Sequence, residues 1–310
     1  MPVYNGARTI ARAIEGVLAQ SFPDFEIIVV DDGSTDGTVE ILAGFGARVT
    51  VLKQAHKQQA IARNFAVKAS RGEYLAFLDA DDSWLPEKLA RCVEVLDRDS
   101  RCALVYSNLI AVGSDGADLG IEMTPAPVAH APSMEELLTR LWPIVPSTVV
   151  MRREVFERIG GFSSTIAGCE DIFFWLVARE QGEFRYLPDK LARFAYDGYP
   201  ELLRVLRRDL EGGTQNLIPM LYQRYGHRAD ALAAYYRRHK VSLLSRAGLL
   251  ALAHGDRRAA RRCFLRALRW NLTEPKTYLR LARTFMPPRL AIRLSGKAAR
   301  REAKAGLPHG

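Results

Sequence analysis

Along the first half of the chain, short apolar runs alternate with stretches in which hydrophobic residues recur every three or four positions. Residues 9–20 place Ile10, Ile14, Val17 and Leu18 at i, i+4, i+7 and i+8, the spacing of a helix with one buried face. Phe25-Glu-Ile-Ile-Val-Val30 reads as a strand and runs into the polar turn Asp31-Asp-Gly-Ser-Thr-Asp-Gly37. A helix from Thr38 to about Phe45, a strand over 48–52 and a helix over 58–70 follow, the last with Ile61, Phe65 and Val67 inward. Tyr74-Leu-Ala-Phe-Leu78 is short, apolar and bounded by polar residues, as expected for a strand buried on both faces. Next comes a helix with Pro86 in its first turn and a Leu89, Val93, Leu96 stripe, then a strand over 103–107. Strands alternating with helices of this length predict a parallel α/β sheet with crossover helices.

The rhythm then changes. Residues 113–133 are rich in Gly, Pro, Asp and Ala without a period, longer than most connections, and so a candidate functional loop. A strand over 147–151 leads into a helix over 152–159 that Gly160-Gly161 stops, and 171–180 form an apolar helix with a charged start. Beyond Pro200 only helical periodicity remains, with helices over 243–254, 257–270 and 276–284. Ala259, Ala260, Phe264, Ala267 and Leu268 are spaced as in one tetratricopeptide-type hairpin, paired across Gly255-Asp256. One hairpin does not bury its own face, so it should pack on the rest of the chain or on a partner.

With 310 residues and 48% hydrophobic content, one large domain plus an appendage is the expectation. Four cysteines without C-x-x-C spacing suit a reducing compartment and argue against structural zinc. No apolar stretch reaches the roughly 18 residues of a membrane span, and no signal-peptide pattern opens the chain. A cytoplasmic location follows, or attachment to the inner face of a membrane. The net charge of +9 is uneven: residues 241–310 hold 16 Lys+Arg against 3 Asp+Glu (+13), leaving 28 against 32 (−4) for residues 1–240. That basic tail suits an anionic lipid surface, with an ordinary solvated basic face as the alternative. Nucleic acid is not expected, because aromatic residues are not interleaved with the basic ones.

The chemistry concentrates where the strand at 74–78 meets Asp79-Ala-Asp-Asp82. Asp79 and Asp81 are two apart, so at a strand end they can project to one side. Convergent carboxylates there suit a hard divalent cation that also binds phosphate oxygens. A solvated acidic turn capping the next helix is the alternative. Four more features accompany the pair: Met1-Pro-Val-Tyr-Asn5, Asp31-Asp-Gly-Ser-Thr-Asp36, Ala62-Arg-Asn64, and Gly168-Cys-Glu-Asp171 preceded by Gly160-Gly-Phe162.

In this order and spacing the set closely resembles the family 2 glycosyltransferases of the GT-A fold, over about residues 1–200. The resemblance implies a Rossmann-like, mostly parallel α/β sheet, with a nucleotide-binding half at about 1–110, an acceptor half at about 140–200, and an all-helical basic extension over 201–310. It implies an inverting, metal-dependent transferase that moves a sugar from a nucleotide-diphosphate donor to a hydroxyl of a sugar or lipid-linked acceptor, using Mn2+ or Mg2+, in polysaccharide or glycolipid assembly. By position, Asp31 and Asp32 would meet the base and ribose, with Pro2 and Tyr4 lining that pocket. Arg63 would lie near the nucleotide and pyrophosphate, Asp79 would touch the ribose or metal, Asp81 would be the main metal ligand, and Asp171, beside Glu170, the catalytic base.

Each residue has a plainer role open to it. Asp31-Asp32 could form a turn and cap the next helix, Arg63 could be a surface residue, and Glu170-Asp171 could serve the helix dipole. His56 could border the donor site or be solvated. Two departures from the family pattern stand out. No apolar strand precedes Pro2-Val-Tyr-Asn5, so the first strand is expected to be missing and the functional protein to begin upstream of Met1. The segment Phe194-Ala-Tyr-Asp-Gly-Tyr199 lacks the histidine often found there, which puts a donor-phosphate contact in doubt. Two rivals remain: a nucleotidyltransferase or other nucleotide-sugar enzyme, and a non-catalytic interaction protein on a degenerate transferase domain.

Overall fold

The computed structural model describes residues 1–55, 57–113, 116–119, 130–139, 142, 144–166, 168–195, 213–253, 255–273, 275–287 and 290. The chain divides into two compact units, Met1–Asp197 and Gly198–Gly310, each taken by itself below. His56, most of 113–133 and the segment 196–199 lie outside the described residues.

The first unit opens with β1 (Pro2–Val3), α1 (Ile10–Leu18), β2 (Ile28–Asp31), α2 (Thr38–Ala43), β3 (Thr50–Lys53) and α3 (Gln59–Ala69). The strands form an all-parallel sheet in the order β1-β2-β3. Every residue of β2 is buried, and Ile10, Ala13, Ile14 and Val17 pack α1 into the same core. The expectation of a missing first strand is corrected: Pro2–Val3 is a strand, in register with Val30 and Asp31. The backbone on both sides of Pro2 is bonded, with Met1 N donating to Ile28 O, Val30 N to Met1 O, and Asp32 N to Val3 O at 2.8–2.9 Å.

There follow β4 (Tyr74–Ala76), β5 (Ser83–Trp84), α4 (Lys88–Arg98), β6 (Cys102–Val112), α5 (Met134–Thr139), β7 (Val149–Arg152), α6 (Arg153–Ile159), α7 (Glu170–Gln181) and β8 (Glu183–Ala195). They build a second, mixed sheet in the order β4-β7-β6-β8-β5, in which only β6 and β8 are parallel. The parallel character is therefore confined to the first sheet and this one pair. Nor is β4 buried on both faces: it pairs with β7 alone and Ala76 is exposed. A groove of about 700 Å³ separates β4 from β1 and β2, with Met1 and Ile28 on one side and Tyr74, Ala76 and Leu78 on the other. β8, where the sequence pattern predicted nothing, is the longest strand at 13 residues. Pro188 interrupts its alternation, and its pairing with β6 shifts register around Ser107–Leu109, which absorbs the residue that donates no ladder bond.

The second unit contains α8 (Gly213–Tyr225), α9 (Asp230–Ala253), α10 (Arg257–Trp270) and α11 (Pro275–Arg283). Leu249 and Leu252 of α9 meet Ala260 and Phe264 of α10. At Gly248 a Cβ would lie 2.5 Å from the Phe264 ring, so only glycine lets the helices approach this closely. Asp256 caps α10, accepting from Ala259 N at 2.9 Å.

Candidate active site

Where β1 and β2 end, two loops are laced together. Asn5 N donates to Ser34 Oγ (2.9 Å), Thr35 N to Asn5 Oδ1 (2.7 Å), Gly6 N to Thr38 Oγ1 (2.9 Å) and Ala7 N to Asp36 Oδ2 (3.1 Å). The Thr38 hydroxyl also donates to Asp36, and this bond leads the causes holding the Asp36 carboxyl below its usual range. Asp31 is buried and accepts from Ser34 N at 3.0 Å, which is the turn the plainer reading anticipated. The helix cap it anticipated is not made, since Gly37 occupies the N-cap of α2. Asp32, also buried, organises the next loop: Oδ1 accepts from Gln54 Nε2 (2.8 Å) and Lys57 N (2.7 Å), and Oδ2 from Gln58 N (3.0 Å). Pro2 is buried beside them and Tyr4 is exposed. The four residues assigned to base and ribose thus share one end of the parallel sheet.

A second group gathers around α3. Arg63 is no surface residue, being 3% exposed. Its Nη2 donates to Asp79 Oδ1 at 2.6 Å and its Nη1 to Glu170 Oε1 at 2.9 Å, so one guanidinium joins the end of β4 to the start of α7. Burial works against its charge, but Asp79 and Glu170 outweigh that and push its pKa up. The other oxygen of Glu170 accepts from Gly168 N at 2.7 Å. Asp171, the next residue, is half-buried and accepts from Ile172 N at 2.8 Å. Burial and then repulsion from Glu170 raise its pKa to about 7, against the opposing pull of Arg63 and the Ile172 N–H.

The turn before α7 is clamped to the same helix. Asn64 Nδ2 donates to Phe162 O (2.8 Å) and Phe162 N to Asn64 Oδ1 (2.9 Å). At Gly161 (φ +87°) a Cβ would lie 2.7 Å from Asn64 Oδ1, so the close approach and the backbone both require glycine. Phe162 stacks on Phe174 at 4.3 Å and meets Trp175 edge-on, while Trp175 Nε1 donates to Ile144 O. Aromatic packing thereby fixes the second turn of α7, directly after the turn that holds Asp171.

The three carboxylates beyond β4 part company. Asp82 is fully buried, accepting from the Ser147 hydroxyl and from Ala195 N (2.9 Å); burial, then Asp81 and Asp79, hold its pKa well above the usual range. It acts as a structural tie between sheet strands. Asp79 and Asp81 remain half-buried, and Asp81 is held by its carbonyl, which accepts from Arg12 Nη2 at 2.9 Å. Among the described residues no group of three or more His, Cys, Asp or Glu converges as a metal cage. Two carboxylates that each raise the proton affinity of Asp82 nonetheless form a local excess of negative oxygen, the donor set a hard cation shares with phosphate and water. The structure thus brings Arg63, Asp79 and Glu170 into direct contact, with Asp171 adjoining. Asn64 and Ser147, to which no role was assigned from sequence, hold this arrangement in place; the Ala62-Arg-Asn64 run was the visible signal for the first.

The model of the family described as Glycosyl transferase family 2 matches residues 1–160. Chondroitin synthase of Escherichia coli is 30% identical over 200 residues, 60% of this chain and 27% of that protein. The chain spans about half the length of the curated relatives it matches. Among solved structures, S. aureus TarS 1–349 in complex with UDP-GlcNAc aligns with a TM-score of 0.62 at 17% identity, covering 100% of this chain and 91% of that one. The mannosyltransferase PcManGT from Pyrobaculum calidifontis, in complex with GDP-Man and Mn2+, aligns at 0.57 and 19% identity, covering 98% and 85%. At these identities the likeness is one of fold, and the fold is the GT-A type.

Proposed function

Because the chain belongs to glycosyl transferase family 2, we propose that it is an inverting glycosyltransferase that moves a sugar from a nucleoside diphosphate to a hydroxyl acceptor in polysaccharide or glycolipid assembly. The nucleotide sugars bound to TarS and PcManGT and the name of the chondroitin synthase support this substrate class. Transfer is assigned to about residues 1–200, with 201–310 as a helical extension. The observation that carries the reading is the place of Asp171: it opens α7 beside Glu170, which Arg63 joins to Asp79 beyond β4, and burial and Glu170 raise its pKa.

In the reaction, an acceptor oxygen attacks the anomeric carbon as Asp171 takes its proton. The new C–O bond forms on the face opposite the breaking bond to phosphate, which inverts the centre, and the diphosphate leaves with the bonding pair. A base whose pKa is raised toward neutrality binds the proton more strongly than an ordinary carboxylate and still ionises in the neutral range. Asp31, Asp32, Pro2 and Tyr4 are proposed to receive the nucleoside. Arg63, engaged on both carboxylates, is proposed to position Asp79 and Glu170 as well as to offset diphosphate charge. Asp81, with Asp79, would hold Mn2+ or Mg2+; a bound divalent cation supplies neutralisation of the departing diphosphate.

We further propose that the protein works at the inner face of a membrane through its basic C-terminal part. Among the described residues no helix is long and apolar enough to cross one.

A thermal-shift screen of UDP- and GDP-sugars with and without Mn2+, followed by a diphosphate-release assay, tests the reading. A manganese-dependent shift by one donor class is expected, with Asp171→Asn retaining the shift and losing release. No shift by any nucleotide sugar would favour the non-catalytic alternative.

A further inference from the structure

The arginines of α10 divide into two sets. Arg257 and Arg261 turn toward α11, donating to Thr284 O (2.7 and 3.2 Å), Thr284 Oγ1 (3.1 Å) and Met286 O (3.1 Å), and Arg261 lies 4.1 Å over the Phe285 ring. They cap the C-terminal end of α11 and belong to the fold. Arg258, Arg262, Arg266 and Arg269 are exposed, and their spacing of 4, 4 and 3 puts them in one stripe opposite the buried Ala260, Phe264, Ala267 and Leu268. Asp256, the one acidic residue among the described residues of 241–287, is engaged as the cap of α10.

A solvated basic face would carry polar residues between its charges. Here Leu265, 53% exposed, flanks the stripe, and Leu272, 69% exposed, lies in the turn just beyond the end of α10. Tyr278, whose hydroxyl donates to Leu272 O at 2.9 Å, and Leu279, 65% exposed, add the outer face of α11. Of the nine exposed large hydrophobic residues among those described, six fall between 265 and 290. Concentration of apolar surface is not needed to hold a polyanion such as RNA, and charge is not needed to hold an apolar protein face. A bilayer with anionic headgroups rewards both at once.

We propose that this α10–α11 face, the stripe Arg258/Arg262/Arg266/Arg269 with Leu265, Leu272 and Leu279, is the surface that docks on an anionic membrane. The inference rests on the membrane reading above and adds which surface makes the contact.

The test is co-sedimentation of the full chain with phosphatidylcholine vesicles, plain or with about one-third phosphatidylglycerol. The expected result is partition to the anionic vesicles only, weakening as salt rises. Arg262→Gln/Arg266→Gln should weaken it by roughly 25-fold, about fivefold for each charge removed from the surface. Leu272→Gln/Leu279→Gln should weaken it as well without changing its salt dependence. All four positions are exposed, so circular dichroism melts should match wild type. Wild-type binding that neither pair affects would overturn the surface and leave the membrane reading standing; absence of wild-type binding would overturn both. Loss of single-stranded RNA binding in the arginine pair with vesicle binding intact, or a change from dimer to monomer in the leucine pair alone, would assign the face to a polyanion or to a second copy and reject the proposal.

Discussion

Replacing Arg63 by Met removes both arms of the bridge between β4 and α7 at once. Glu170, 5% exposed, and Asp79 then lose the guanidinium that offsets their charge. Breaking a buried ion pair by deleting one partner costs about 3–5 kcal/mol. For a unit of this size each kcal/mol lowers the melting temperature by roughly 2–4 °C, so a fall of roughly 6–20 °C is expected. The same change reaches Asp171. Arg63 is the largest influence lowering its pKa, so without it the carboxyl should titrate above the wild-type value of about 7. The active base is the ionised form, so activity rises as pH passes through this pKa, and raising the pKa moves the acid limb of the turnover profile to higher pH. Arg63→Lys keeps the charge and loses the fork: its limb should stay near wild type, while stability falls by about 1.5–3 kcal/mol for one lost charge-assisted bond. Differential scanning fluorimetry and a pH series of diphosphate release measure both quantities. If Arg63→Met lost less than about 1 kcal/mol and kept its acid limb, the bridge would be neither a stabilising nor a positioning contact, and the argument from its geometry would fail.

Asp171→Asn should make the protein more stable at pH 8 but not at pH 4. A carboxyl whose folded pKa is raised destabilises the fold progressively between its unfolded pKa and about 7, fully above that and not below it, and the amide removes this cost; equal melting shifts at both pH values would contradict it. Asp81→Asn should abolish the manganese dependence of nucleoside diphosphate binding measured by calorimetry, with the fold retained because the amide matches the half-buried carboxylate in size. Gly161→Ala should cost about 2–3 kcal/mol and reduce turnover, since the new Cβ would meet Asn64, whereas Gly160→Ala, also at positive φ but with open space around it, should cost about 1 kcal/mol and leave turnover unchanged. Comparable losses in both alanine variants would refute the role given to the Asn64 clamp.

How much of this was legible in the sequence depended on the distance over which each feature is determined. The amphipathic face of α1, the buried run of β2 and the turn made by Asp31 are set by neighbours within a few residues, and local pattern predicted them. Of the second sheet, β4, β6 and β7 were legible as separate strands, but β5, β8 and the mixed pairing order were not. β8 owes its existence to 13 residues finding β6 and β5 as partners, and its own alternation is broken by Pro188, so only the pairing reveals it. The three carboxylates after β4 look equivalent in sequence. Their roles separate only because Ser147 and Ala195, 65 and 113 positions from Asp82, draw that side chain inward, while Arg63 takes Asp79 and Asp81 stays half-buried. Arg63 shows the same limit most sharply. On α3 its spacing permits either a solvent-facing or a ligand-facing side chain, and what decides is Glu170, 107 residues away. A residue read as a nucleotide contact therefore gains a second task, because a buried guanidinium already bonded to two carboxylates fixes the separation between Asp79 and Glu170 before any ligand arrives. In the reaction proposed above, that separation would have to match the span of a diphosphate leaving group and an attacking hydroxyl on opposite faces of one sugar ring, and a rigid link between the two chain segments would keep it constant.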